Sequence, residues 1–169
     1  MKVLYLALMA LFLNCNLLWA QDSSQPKSET GLPIPRFVSL RSELVNARSG
    51  PGARYPIEWV YMQKGAPVEI VAEFELWRKI KDWQGSQSWV HKAMLTGKRT
   101  VKVITPGENN LYAKPNFKSR VLAKVEDEVV GDIMECPGDK AFCRVRFSSV
   151  DGWIPKQNLY GIYPQEVIE

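Results

Sequence analysis

The second half of this chain repeats the first. Trp89-Val90-His91-Lys92-Ala93-Met94-Leu95-Thr96-Gly97 lies over Trp153-Ile154-Pro155-Lys156-Gln157-Asn158-Leu159-Tyr160-Gly161 without a gap. Upstream, Trp77 to Ile80 matches Phe142 to Val145, and Val45 to Arg48 matches Leu111 to Lys114, with the Ser49-Gly50-Pro51-Gly52 turn falling on Pro115-Asn116. Three matches in the same order mean one supersecondary unit used twice.

Each unit reads as short strands. Its apolar runs are brief, β-branched or aromatic, and punctuated by Gly, Pro, Asn and Asp. The first copy is expected to form strands over Val45–Arg48, Ile57–Met62, Val68–Phe74, Trp77–Trp83 and Ser88–His91. The second is expected to form them over Leu111–Ala113, Val121–Val125, Val130–Glu135, Cys143–Phe147 and Gly152–Ile154. Five short strands per unit favour a small closed barrel, which buries edges that an open sheet would expose. After Trp89 and Trp153, a single helical turn is expected to tuck Leu95 or Leu159 under the barrel before a glycine.

The repeats resemble the bacterial SH3 domain family in its tandem, exported form. The motifs that carry the likeness are Asn46-Ala47-Arg48-Ser49-Gly50-Pro51-Gly52, Trp77-Arg78-Lys79-Ile80, Gly152-Trp153-Ile154 with Leu159, and the first copy's Trp89-Val90. The resemblance implies an all-β fold of two tandem small SH3-like β-barrels, residues 37–98 and 105–163, and peptidoglycan or an envelope peptide or protein as partner. Such modules often accompany cell-wall hydrolases, which makes an accessory targeting role a further alternative. The second copy departs from the pattern at Lys114-Pro115-Asn116-Phe117 and has Gly152 where the first has Ser88.

The N-terminus reads as a secretory leader: Lys2, an apolar stretch from Val3 to Leu13, and Ala20 before a polar run. Cleavage after Ala20 is expected, leaving no stable membrane span; an uncleaved anchor is the alternative, because Leu18 is an imperfect residue near the cut. Cys15 lacks the small preceding residues of a lipoprotein site. Residues 21–36, rich in Ser, Pro, Lys and Glu, are expected to be a flexible tether. The protein is therefore placed in the periplasm or cell envelope.

Cys136 and Cys143 flank the turn-rich Pro137-Gly138-Asp139-Lys140, and an exported protein meets an oxidising compartment, so a disulfide is expected. Two free thiols and a metal site are the alternatives, the latter short of ligands with one histidine in the chain. With two extra residues in the second hairpin, Glu73 falls opposite Cys136 and Arg78 opposite Cys143. The first copy is thus expected to hold its hairpin by an exposed ion pair.

The net charge of +4 is well mixed, with Arg78, Lys79 and Lys81 set among Trp77, Ile80, Asp82 and Trp83, which argues against nucleic acid. His91 lies in the first copy and both mature cysteines in the second, so no nucleophile and base pair is in sight. Glu73, Glu75, Glu126, Asp127 and Glu128 fall at turns or beside basic residues and read as solvated charge. No catalytic residue, metal site or cofactor is expected. Recognition remains, for which small barrels use aromatic grooves. Tyr55, Trp59, Tyr61 and Trp83 are the candidate ligand contacts, with Tyr55 and Trp83 expected to be the most exposed. A structural subunit of an envelope assembly competes, because Val101, Val103 and Ile104 make the connection between the copies apolar.

Overall fold

The computed structural model describes residues 28–169, which form two all-β barrels. The expected signal segment, residues 1–20, and residues 21–27 of the expected tether lie outside the described residues. The first sheet comprises β1 (Arg36–Leu40), β2 (Val45–Arg48), β3 (Ile57–Tyr61), β4 (Pro67–Phe74), β5 (Trp77–Lys81), β6 (Gln87–His91) and β7 (Leu95–Thr96), ordered β3-β2-β6-β5-β4-β1-β7. The second comprises β8 (Thr100–Val103), β9 (Asn109–Tyr112), β10 (Val121–Val125), β11 (Val130–Glu135), β12 (Phe142–Phe147), β13 (Val150–Pro155) and β14 (Leu159–Tyr160), in the same order displaced by one repeat. All pairings are antiparallel.

Each barrel has seven strands where five are expected from the sequence. The opening strands β1 and β8 are almost wholly buried. They include the polar residues Ser39, Thr100 and Lys102, so neither shows the alternation that marks a strand with one wet face. Thr100–Val103, expected to be a connection, belongs to the second sheet. The expected 3-10 turns stand at Lys92–Met94 and Lys156–Asn158, and Leu95 and Leu159 are buried behind them.

The strand pairing corrects one part of the internal match. Arg48 sits opposite Trp89 and Tyr112 opposite Trp153, which makes Arg48 and Tyr112 equivalent and shifts the earlier alignment by two residues. Ala47 therefore corresponds to Leu111, and Ser88 to Gly152. The swap conserves volume: a Cβ on Gly152 would lie 2.5 Å from Leu111 Cγ, so the larger side chain on one strand requires glycine on its neighbour. The same register aligns Gly50-Pro51-Gly52-Ala53 with Lys114-Pro115-Asn116-Phe117, and Tyr55 with Ser119. Equivalent turn bonds confirm it, Ser49 N to Pro56 O (3.1 Å) and Ala113 N to Arg120 O (2.9 Å).

Two cores fill the barrels. Val45, Val68, Ile80 and Val90 anchor the first, and Val101, Leu111, Val145 and Ile154 the second. Val101 and Val103 thus point into the second barrel rather than pad a linker, while Ile104 is exposed.

At equivalent hairpins the two copies use different locks. In the second, Cys136 and Cys143 form the disulfide. In the first, Glu73 and Arg78 are cross-strand partners, with Arg78 Nε 3.2 Å from Glu73 Oε1. The expected pair exists, but it is buried, because a third element covers it. Arg36 Nη2 lies 2.6 Å from Glu73 Oε1, and Ser28 Oγ, Thr30 N and Thr30 Oγ1 all donate to the same carboxylate. Residues 28–36 are therefore docked onto the first barrel, with Ile34 buried, and are no free tether. In the second barrel Cys136 leaves no carboxylate for Arg99, which stands where Arg36 stands in the first copy; Glu166 of the tail supplies it, and Ile168 bridges Cys136 in antiparallel fashion.

Candidate functional site

The barrels pack directly. Thr100 Oγ1 donates to Gly65 O (2.6 Å), Tyr160 OH to Lys81 O (2.8 Å), and Tyr163 OH to Glu69 Oε1 (2.8 Å), while the Phe37 ring contacts the rings of Tyr160 and Tyr163. Gly161, at φ +111°, makes the approach possible: a Cβ there would lie 3.0 Å from Pro67 Cβ of the first barrel and 2.5 Å from Thr100 O of its own.

This packing builds a shallow cleft of about 450 Å³ whose walls come from both barrels. The first barrel contributes Trp59 and Tyr61 from β3, Met62 and Gln63 after it, and Asp82 and Trp83 after β5. The second contributes Lys102 from β8 and Glu128. β3 is an edge strand, paired only with β2, so both of its faces reach solvent and Trp59 (42% exposed), Val60 and Met62 (78%) are open. Tyr61 closes the floor. Its OH donates to Asp82 Oδ2 (3.0 Å), and burial first, then the negative charge of Asp82, push the phenol up to about 12. Asp82 also accepts the N–H groups of Gln84 and Ser86, which fixes the turn carrying Trp83.

Lys102 is only 2% exposed, and its ammonium lies 3.4 Å from the centre of the Trp83 ring. It donates to Gln63 Oε1 (3.2 Å) and stands 3.9 Å from Glu128 Oε2, while Gln63 Nε2 donates to Glu128 O (3.1 Å). Burial lowers the Lys102 pKa, against the opposing pull of Glu128 and Asp82. Among the described residues the buried indole N–H of Trp83 has no hydrogen-bond partner. The cleft thus offers exposed aromatic and thioether surface beside an exposed carboxylate, with the Lys102 ammonium buried beneath them.

Three of the four candidates from the sequence, Trp59, Tyr61 and Trp83, meet in this cleft, though Tyr61 is core and Trp83 is half-buried against that core rather than open. Tyr55 stands apart. Its ring lies on the turn, where a Cβ on Gly50 would come within 2.4 Å of it, and Arg48 Nη1 donates to Tyr55 O (2.7 Å). Lys102, Glu128 and Met62 were not legible as site residues, since Lys102 becomes part of the cleft only through docking of the barrels. His91 uses Nδ1 to accept the N–H of Ala93 and lays its ring edge-on to Trp77, capping the 3-10 turn.

The second barrel has a smaller hollow at the equivalent place, about 350 Å³, without the tryptophans. Strand register places Ala123 where the first has Trp59, Val125 for Tyr61, Phe147 for Asp82 and Ser148 for Trp83. The repeat is structural; the aromatic site is not repeated.

Fold and cleft together define a tandem small-barrel protein. The chain matches the bacterial SH3 domain family over residues 41–97 and 105–161 and belongs to it. No curated protein matches the chain. Among solved structures, the chain is similar to NlpC2 from Trichomonas vaginalis (17% identity, TM-score 0.34, covering 75% of this chain and 48% of that one). It is similar also to NlpC1 from the same organism (16% identity, TM-score 0.34, covering 80% and 48%). The chain spans about half the length of each.

Proposed function

We propose that this protein is an exported, non-catalytic binding protein that recognises peptidoglycan or an envelope peptide through the inter-barrel aromatic cleft. The observation that carries the reading is the concentration of Trp59, Tyr61, Asp82 and Trp83 at one place in the first barrel, joined there by Lys102 of the second. Exposed aromatic surface beside the exposed Glu128 carboxylate suits a ligand with apolar and cationic groups close together. The role is one of recognition: His91 caps a backbone turn, and the Glu73 carboxylate is saturated by its own chain. The buried disulfide and the family fit an extracytoplasmic setting, and among the described residues no helix is long and apolar enough to cross a membrane.

Co-sedimentation with purified cell-wall sacculi tests this. The intact protein is expected to pellet saturably, and Trp59→Ala, which removes a 42% exposed ring that meets the core at Tyr61, is expected to weaken binding about tenfold or more once the variant is confirmed folded. Equal binding by the variant would remove the cleft from the reading, and no pelleting of the intact protein would remove the wall.

A structural role in an assembly is the second reading, favoured by the unpaired β3 edge with Ile57, Val60 and Met62 exposed along it. It predicts a mass above that of the monomer in light scattering at micromolar concentration, reduced by Val60→Lys.

A further inference from the structure

The second barrel carries a different cleft, which owes nothing to the first site. It is the larger of the two, about 570 Å³, and is mainly apolar. Phe117 forms one wall, Leu159, Ile162 and Tyr163 the floor, and the disulfide-bonded hairpin the other wall, with Lys140 and Lys156 at the rim.

Its key residues are departures from the repeat. Phe117 replaces Ala53 of the first barrel and is 64% exposed, held upright by edge contacts with Phe142 and Tyr112. Lys140 lies in the hairpin that is two residues longer than its counterpart. Lys156 donates to two carbonyls, Pro137 O and Glu166 O (3.2 Å each), which fixes its ammonium without a carboxylate. Among the described residues neither lysine has an ion-pair partner, although most basic side chains near the barrel junction do. An apolar trough closed by two unpaired cations fits a ligand with an apolar body and an anionic end.

The first barrel shows what form of ligand lies in such a place. Its corresponding hollow, built on Lys92 and Leu95, is lined by polypeptide, the chain's own segment at Leu32 and Arg36, which bends before it enters β1. Lys92 and Leu95 align with Lys156 and Leu159 of the second cleft. In the second cleft the tail enters as Ile162 to Pro164, and open space remains beside Phe117.

We propose that the second barrel binds the C-terminus of a peptide whose last side chain is apolar, the side chain entering between Phe117 and Leu159 and the free α-carboxylate pairing with Lys140 and Lys156. The carboxylate is the discriminating group, because a charge-assisted bond formed at a partly desolvated rim contributes more than a neutral one.

The test titrates the purified protein with fluorescein-labelled Gly-Ala-Ala-Leu bearing a free carboxylate, and with its C-terminal amide, by fluorescence anisotropy. The acid is expected to bind saturably and the amide about tenfold more weakly or worse. Phe117→Ala and Lys140→Gln, each confirmed folded by its melting profile, are expected to weaken the acid by a similar factor, while Trp59→Ala leaves it unchanged. Equal binding of acid and amide, no binding of the acid at millimolar concentration, or a loss caused by Trp59→Ala and not by Phe117→Ala would each overturn the proposal. Because sacculus binding is read through Trp59 and peptide binding through Phe117, either proposal can fail alone.

Discussion

Replacing Glu73 with glutamine is expected to lower the unfolding free energy by about 3 to 5 kcal/mol, the usual cost of leaving one half of a buried ion pair without its partner. The carboxylate has no accessible side-chain surface and serves Arg36, Arg78, Ser28 and Thr30 at once. Without it, two guanidinium groups face each other, and the segment from Ser28 to Arg36 loses its attachment. Urea unfolding measures the first effect. Amide exchange at Thr30, whose N–H donates to Glu73 at 3.0 Å, measures the second. An unchanged urea midpoint would mean that the docked segment contributes nothing to the fold.

The same group sets a pH dependence with a definite sign. Burial alone would raise the Glu73 pKa, but the hydrogen bonds from Arg36, Thr30 and Ser28 outweigh it and hold the carboxyl at about 2. A carboxyl whose folded pKa lies below its unfolded value stabilises the protein fully above the unfolded value, near 4.5. That stability is lost as the pH falls from there toward 2. The urea midpoint of the parent protein should decline over that window, and that of Glu73→Gln should decline less. Parallel curves would refute the assignment.

How much of this the sequence carries depends on whether a residue's role is local. The hairpin locks were readable because alignment places Glu73 opposite Cys136 and Arg78 opposite Cys143, and a hairpin brings such positions together whatever surrounds it. What surrounds it was not readable: Ser28, Thr30 and Arg36 approach from a polar stretch whose composition argues for disorder, and they are ordered by one carboxylate more than thirty residues away in sequence. The strand Arg36–Leu40 is absent from the expected strands and Thr100–Val103 reads as a connection, since burial on both faces erases the alternation that identifies a strand. The two-residue slip in the repeat has a similar origin. Matching Ala47-Arg48 to Ala113-Lys114 satisfies residue type, whereas the fold matches packing, setting Ala47 with Ser88 against Leu111 with Gly152. Trp59, Tyr61 and Trp83 could be nominated as aromatics of the first copy, but their convergence on Lys102 depends on the docking of two barrels. Tyr55 looked exposed beside a glycine-rich turn, yet those glycines exist to receive its ring.

Opening the disulfide is expected to act on the other barrel and by another route. Cys136 and Cys143, seven residues apart and fully buried, restrict the unfolded chain, and removing a loop of this size costs about 2 to 3 kcal/mol in the chain-entropy account. The Cys136→Ser, Cys143→Ser double variant should show that loss in urea, and reductant should lower the parent by the same amount while leaving the variant untouched. The Glu73 network lies in the first barrel and shares no partner with the bridge, so the two losses are expected to add within about 0.5 kcal/mol when combined. The functional consequences should separate as well. Gly138, Lys140 and Ala141 of the bridged hairpin line the Phe117 cleft, and Cys136 pairs with Ile168 of the tail, so the double variant should bind the acid peptide more weakly. No residue of that hairpin lines the Trp59 cleft, so sacculus binding should persist. Equal loss of both activities in a variant that remains folded would show that the hairpin supports the junction of the barrels rather than a site of its own.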